Sequence, residues 1–393
     1  MAILVTGADG YIGWPVMLKL SREFPDERIV GVDNFGRRRW VEEIGSVSAL
    51  PIVSMEERLE VARETGSSNL SFIEGDLSDR AFVQQLYATF RPRVVLHLAA
   101  QPSAPYSEIN GERANYTQEN NTASTRNLLW GLKENNLLES VFVETTTTGV
   151  YGQPDIDIPE GYLEVERNGK RGTVIYPGMA GSWYHMSKCH DVNNLWLANR
   201  QWKLSVIDLR TAITYGTTTE ETQADPRLAT RFDFDFYFGV VVNRFAAQAL
   251  AGYPITVYGK GGLKRPMIGL QDAVDSIVAA ARREPDQKFE IFNQTSGPVG
   301  IQEIADGIQS IGAEMGIPVQ VDHLPNPRVE KEEHQMVMEN TRFMTELLPH
   351  PTIDINDGLR DTLQNLLPYR DTLLAYKDRF IPEQLLKREP VAG

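Results

Sequence analysis

The chain is expected to fold as an α/β protein, with a doubly wound parallel sheet and a smaller C-terminal α/β substrate domain. Three observations lead there. Short apolar runs recur through the first half, amphipathic stretches separate them, and spaced glycines mark the first junction. Parallel strands need crossover helices, and strands covered on both faces read as continuous apolar runs.

Ile3-Leu-Val5 opens as a buried strand and runs into Thr6-Gly7, and residues 15–24 form the first amphipathic helix. Ile29-Val-Gly-Val32 is the second strand. Residues 37–69 then interrupt the rhythm with Arg37, Arg38, Arg39, a proline and a glutamate-rich helix. Leu70-Ser-Phe-Ile73, a helix over 81–90, Val94-Val-Leu-His-Leu98 and Val141-Phe-Val143 resume it. Residues 156–178 interrupt it again. There Tyr162-Leu-Glu-Val-Glu alternates, Asn168-Gly169 supplies a turn and Thr173-Val-Ile-Tyr follows, the signature of a β-hairpin that is either a lid or a plain surface element.

Beyond about residue 205 the rhythm loosens. Residues 1–205 form one expected domain, and 206–393 mainly a second, some of whose segments return to the first. His323-Leu-Pro-Asn-Pro-Arg328 is expected to be a loop because of Pro325 and Pro327, and the charged last twenty or so residues to be peripheral.

Among the 393 residues, 41% apolar and 23% charged is an ordinary globular balance, which excludes wholesale disorder, collagen and coiled coil. A net charge of −14 speaks against a nucleic-acid surface. Cys189 is the single cysteine, so no internal disulfide or Cys-clustered zinc site is available. His185 and His190 stand off the helical spacing of a metal pair, and no metal is expected. No apolar stretch approaches the roughly 18 residues of a membrane span. The first apolar run is too short for a signal peptide, so a cytoplasmic protein is expected.

Gly7-Ala-Asp9-Gly10-Tyr11-Ile12-Gly13 follows the first strand and precedes the first helix. Glycines there permit a tight turn, close approach of a pyrophosphate and helix–strand packing, and the helix N-terminus offers free N–H groups. This makes the first domain Rossmann-type. Asp33 ends the second strand, with Asn34 beside it. An acid there accepts both adenosine ribose hydroxyls and repels a 2′-phosphate, which favours NAD over NADP. Arg37 to Arg39 pull the other way. Asp76, with Leu77, follows the third strand and either contacts the adenine or merely caps the next helix.

Tyr184-His-Met-Ser-Lys188 places a phenol and an ammonium on one helical face. A tyrosine titrates near pH ~10, and a neighbouring lysine favours the phenolate. Tyr184 can then take a proton from a sugar hydroxyl while NAD+ is reduced, and Lys188 also holds the nicotinamide ribose. Thr147, with Thr148 beside it, supplies the third hydroxyl at a strand end.

These residues resemble the extended short-chain dehydrogenases/reductases, the nucleotide-sugar epimerases and dehydratases. The resemblance implies Asn121 as a supporting amide and Leu98, Ala99 and Ala100 along the cofactor. It implies Arg265 and Arg328 on the pyrophosphate of a nucleotide sugar, with Arg231, Asn243 and Tyr258 as further candidates, and it implies a homodimer.

Longer stretches are similar to the UDP-sulfoquinovose synthase branch: Gln101, Ser103-Ala-Pro-Tyr106-Ser107, Tyr184-His185, Lys188, Asn243-Arg244-Phe245 and Pro325-Asn-Pro-Arg328. That branch oxidises C4 of UDP-glucose, loses water, adds sulfite at C6 and reduces C4 again. Gln101, Tyr106, Thr148, His185 and Thr211 are therefore placed at the sugar. The branch's arginine is Pro102 here, its carboxylate before Tyr151 is Val150, Thr211-Ala212 replaces Gln-Gly, and Pro266-Met267 replaces Gly-Tyr. Losing a cation and an acid makes a UDP-hexose 4-epimerase with recycled NAD the leading expectation. Sulfoquinovose synthesis is the alternative, with His185 and Lys264 as replacement groups. A dehydratase and a non-catalytic NAD sensor rank lower.

Overall fold

The computed structural model describes residues 1–176, 178–325, 336–348, 350 and 352–382. The first half builds β1 (Ala2–Thr6), β2 (Arg28–Asp33), β3 (Leu70–Glu74), β4 (Val94–His97) and β5 (Val141–Thr145). A hairpin of β6 (Leu163–Arg167) and β7 (Lys170–Val174) follows, then β8 (Ser205–Thr211) and β9 (Ile213–Tyr215). Further along come β10 (Ile255–Tyr258), β11 (Lys264–Gly269), β12 (Phe289–Gln294), β13 (Gly297–Gly300) and β14 (Val321–Leu324).

The central sheet runs β12-β8-β5-β4-β1-β2-β3, every pair parallel. Chain order reverses between β4 and β1, so a crevice opens at their carboxyl ends, where open α/β sheets bind ligands. One face is covered by the helices Gly13–Glu23 and Leu270–Ala280, which bury Trp14, Leu18 and Ile277. The other is covered by Arg80–Phe90, Gly111–Glu134 and Trp183–Trp202, which bury Leu86, Leu128, Leu132, Val192 and Leu195.

Local chemistry sets the helix ends. Asp79 caps Arg80–Phe90 by accepting Ala81 N–H at 2.8 Å, and Arg91 ends it in the left-handed region. Ser182 caps Trp183–Trp202 through His185 N–H, and Lys203 closes it in the same way.

The expected hairpin forms. Asn168 (φ 53°) and Gly169 (φ 74°) both take left-handed backbone, as a two-residue turn between twisted strands requires. Its strands are exposed and are not among the residues lining the cleft described below. The first insert forms two helices, Gly36–Glu43 and Met55–Glu64.

The remaining strands make two small sheets, β13-β11-β9 and β10-β14, packed with Val241–Leu250, Ile301–Glu314 and Ile355–Leu366 around Phe245, Ile304, Ile308 and Leu363. β8 and β12 lie in the central sheet although both follow residue 204. Two local expectations are corrected. His323 and Leu324 are not loop but the end of β14, paired in parallel with Val257 and Tyr258. Of the last twenty residues, 383–393 lie outside the described ones, and in 374–382 Phe380 is fully buried against Phe234 and Tyr253, because an aromatic side chain outweighs its charged neighbours.

Candidate active site

A cleft of about 1410 Å³ opens at the carboxyl ends of β1, β4 and β5. Gly7, Gly10, Tyr11, Ile12 and Gly13 form one wall. Gly7 turns with φ 73°, and a Cβ on it would stand 2.8 Å from the Ala99 backbone nitrogen. A Cβ on Gly13 would collide with the Gly7 carbonyl oxygen. No side chain caps the helix that starts at Gly13. A bare backbone cradle facing an uncapped helix N-terminus fits a dinucleotide pyrophosphate.

Asp33, Asn34, Arg37, Asp76, Leu77, Leu98, Ala99 and Ala100 continue that wall. Asp33 accepts Asp9 N–H at 3.0 Å and Phe35 N–H at 2.7 Å, and burial together with the Asp9 carboxylate pushes it up to about 6. Asp76 accepts from Asn34 Nδ2 and Ser78 N–H, and the helix cap is Asp79, which removes the capping explanation for Asp76. Asp9 departs from its expected place. Its carboxylate is buried off the cleft between Arg38 (2.6 Å) and Arg58 (3.0 Å). The arginine run is likewise committed to protein: Arg37 pairs with Asp233 at 2.7 Å and stacks on Phe238, and Arg39 donates to the Asn34 carbonyl.

Thr147, Thr148, Tyr184, His185 and Lys188 line the same cleft. Thr147 Oγ1 accepts Gly149 N–H at 3.1 Å, which leaves its own O–H to donate. The His185 ring lies on Gly149, where a Cβ would collide with it, and pairs through Nδ1 with Ser182 Oγ at 3.0 Å. Lys188 is buried, 3.1 Å from Glu144 and 3.7 Å from Asp191. The lysine was expected to bring Tyr184 down. It acts in that direction, but burial raises the phenol, Asp191 and Glu144 add to the rise, and the net shift is upward.

Asn121 does not reach the cleft. It binds Gln101 N–H (2.8 Å) and carbonyl (3.1 Å) and Ser187 Oγ (3.0 Å), so it ties the loop after β4 to the helix of Tyr184 and Lys188. Gln101 and Tyr106 also stand behind the wall. Gln101 Nε2 donates to Thr117 Oγ1, and the Tyr106 hydroxyl donates to Glu43. Arg231 is held by Asp233 away from the cleft.

Thr211, Asn243, Tyr258 and Arg265 do line it. Thr211 Oγ1 donates to Gln294 at 2.6 Å. The buried Asn243 Oδ1 and Tyr258 hydroxyl make no hydrogen bond with protein, as expected of groups that complete their bonding with a ligand. Arg328 lies outside the described residues. Cys189 is buried on the helix Trp183–Trp202, its thiol against the Val150 carbonyl, and no three His, Cys, Asp or Glu side chains converge as metal ligands among the described residues.

The family model for the NAD-dependent epimerase/dehydratase family matches residues 3–293. The chain belongs to this family. Among curated proteins it is 37% identical over 385 residues to the chloroplastic UDP-sulfoquinovose synthase of Spinacia oleracea, covering 98% of this chain and 78% of that one. It is 36% identical to the UDP-sulfoquinovose synthase of Sulfolobus acidocaldarius, covering 98% and 97%. The solved UDP-glucose 4-epimerase of Thermotoga maritima, with UDP-glucose, superposes with a TM-score of 0.67 at 21% identity over 95% of this chain and all of that one. That of Bifidobacterium longum, with NAD+ and UDP, gives 0.71 at 18% over 94% and 100%.

As in the rest of this family, NAD is the cofactor. Against the synthase pattern, Pro102, Ala212 and Pro266 line the cleft, but Val150 does not. It is fully buried in the core beside Cys189 and Val192, so its identity is no sign of a changed sugar pocket. Lys264 does not line the cleft either, whereas His185 does. Sequence reading missed Glu144 and Asp191 beneath Lys188, and Glu108, whose carboxylate accepts Trp183 N–H at the start of the helix that carries Tyr184 and Lys188. The available signal for Glu144 was an acid ending an otherwise apolar strand, one turn of chain before Thr147.

Proposed function

We propose that this protein oxidises C4 of a UDP-hexose, UDP-glucose in the first place, and carries it through the UDP-sulfoquinovose synthase sequence of water loss, sulfite addition and reduction. The observation that carries this reading is one cleft holding Thr147, Tyr184, His185 and Lys188 together with the glycine loop, in a chain alignable almost end to end with two such synthases.

Tyr184 Oη takes the proton from the C4 hydroxyl, and the Thr147 hydroxyl bridges the reacting oxygen. Lys188, one helical turn from Tyr184, holds the nicotinamide ribose. NAD, when bound, supplies the two-electron oxidation and its later reversal. A C4 carbonyl makes the C5 proton acidic, and His185, which lines the cleft and pairs with Ser182, takes that proton and returns it to the C6 hydroxyl, which leaves as water. Arg265, Asn243 and Tyr258 hold the nucleotide end. The reading includes a cytoplasmic homodimer built on Gly111–Glu134 and Trp183–Trp202, whose outer faces expose Trp130 and Leu197.

Pro102 favours a second reading, a UDP-hexose 4-epimerase. It lines the cleft where the related branch has an arginine able to attract sulfite. The test is incubation with UDP-glucose and NAD+, followed by NMR, in paired tubes with and without sulfite. A product that needs sulfite supports synthesis. A C4 epimer without sulfite supports epimerisation and sinks the first reading.

A further inference from the structure

Thr6, His97, Glu144 and Asp208 stand side by side in one register row across β1, β4, β5 and β8. All four are buried, beneath the helices Gly111–Glu134 and Trp183–Trp202. Two of the row are fully engaged. His97 pairs with Thr6 Oγ1 (2.8 Å) and Thr125 Oγ1 (3.2 Å), and Asp208 with Thr146 Oγ1 and Arg210 Nε. Glu144 is not. It meets Lys188, which Asp191 approaches from one helical turn along the same helix. Glu144 Oε2 and both Asp191 oxygens receive no hydrogen bond from a protein donor.

The charge count is unbalanced. Two carboxyl groups with 0% exposure surround one ammonium with 3% exposure. Burying a net charge is strongly unfavourable, and neighbouring carboxylates cannot both ionise freely. We propose that Glu144 and Asp191 share one proton behind Lys188, forming a positioning pair that cancels the lysine charge felt by Tyr184.

Burial pushes both carboxyls above the ordinary carboxylate range, with the Asp191 charge adding to the rise of Glu144, the direction that a proton held between them requires. Both stand against the Lys188 ammonium, Glu144 at 3.1 Å and Asp191 at 3.7 Å. The other groups facing the cluster are Tyr184 on the same helix, Thr125 and His97 from the side, Asp208 on the next strand and Arg37 in the cleft. A neutral cluster leaves Tyr184 protonated until the positive nicotinamide arrives, which links base activation to the oxidised cofactor. This consequence rests on Tyr184 and Lys188 being the acid–base pair.

Infrared difference spectra of the purified protein at neutral pH test the shared proton without any substrate. A protonated carboxyl gives a C=O band that a carboxylate lacks. Glu144→Gln is expected to lose one such band. Asp191→Asn is expected to lose it too, because Glu144 then becomes the counter-ion. A band that survives Asp191→Asn, or no loss in Glu144→Gln, overturns the proposal.

Tyr184 ionisation, read as the tyrosinate difference spectrum against Tyr184→Phe, gives a second readout. Each single variant should leave it nearly unchanged, within about 0.2 pH unit, because one carboxylate still faces Lys188. The double variant should lower it by about one unit, roughly tenfold more phenolate. Strictly additive shifts overturn the proposal, and if the double variant does not fold, the infrared comparison of the single variants decides. Full turnover by Tyr184→Phe would instead remove the acid–base reading and leave the shared proton to stand on the infrared result.

Discussion

The Arg58 guanidinium lies 3.0 Å from the Asp9 carboxylate and 4.5 Å over the Trp14 ring. One side chain of the first insert thus clamps the glycine loop and the helix that follows it, and Arg38 grips the same carboxylate from its other side. Two cations on one buried acid make that acid structural.

Asp9→Ala would leave Arg58 fully buried without its counter-ion. It should lose about 3–5 kcal/mol of unfolding free energy, the usual penalty for breaking a buried pair from one side. Arg58→Met, which leaves Arg38 on Asp9, should lose less. Denaturant titration reads both, and a loss in Asp9→Ala under about 1 kcal/mol would show that the clamp carries no stability.

Asp33 should make NAD binding pH-dependent. Its carboxyl titrates near 6 because burial and Asp9 disfavour its charge. Accepting ribose hydroxyls requires the ionised form, so affinity should be level above about pH 7 and fall as pH drops through 6. Calorimetry across that range should show the fall, and Asp33→Asn should bind weakly at every pH with the slope gone. A wild-type affinity that is flat with pH would assign the ribose contact elsewhere.

Tyr184→Phe should reduce turnover about 10²–10⁴-fold while NAD stays bound, since the hydroxyl moves a proton and does not build the cradle. Single-turnover rates and the NAD content of the purified variant separate the two effects. Loss of NAD along with activity would mean that Tyr184 holds the site together.

Gly149→Ala should displace His185, because a Cβ there collides with the imidazole. The backbone at Gly149 is not left-handed, so the damage should be local. The expected result is reduced turnover with near-normal stability and NAD content. Under the synthase reading, the step after C4 oxidation should suffer more than the oxidation itself, which a stopped reaction followed by NMR distinguishes.

Much of the fold was legible because its signals are local. Apolar runs marked β1 to β5 within a residue or two, Asn168-Gly169 marked the hairpin turn, and the glycine spacing marked residues that line the cleft. Local signals also misled. Pro325 suggested that His323 and Leu324 were loop, but pairing with β10 overrode it. Val150 read as a lost active-site acid because it sits near Thr147 in sequence, yet the short 3₁₀ turn Thr148–Tyr151 carries it into the core.

The sequence by itself determined the strand–helix alternation, the backbone cradle and the Tyr184–Lys188 spacing, since each depends on residues a few positions apart. Tertiary structure alone decided which side chains reach the cleft. Asp9 and Arg231 carry plausible chemistry but are consumed by Arg38, Arg58 and Asp233. Lys188 reads as a lone cation until β5 brings Glu144 beneath it, 44 residues earlier in the chain. The physical reason is the same in each case: a buried charge must find an opposite charge or a proton, and only packing determines which group is near enough to supply it.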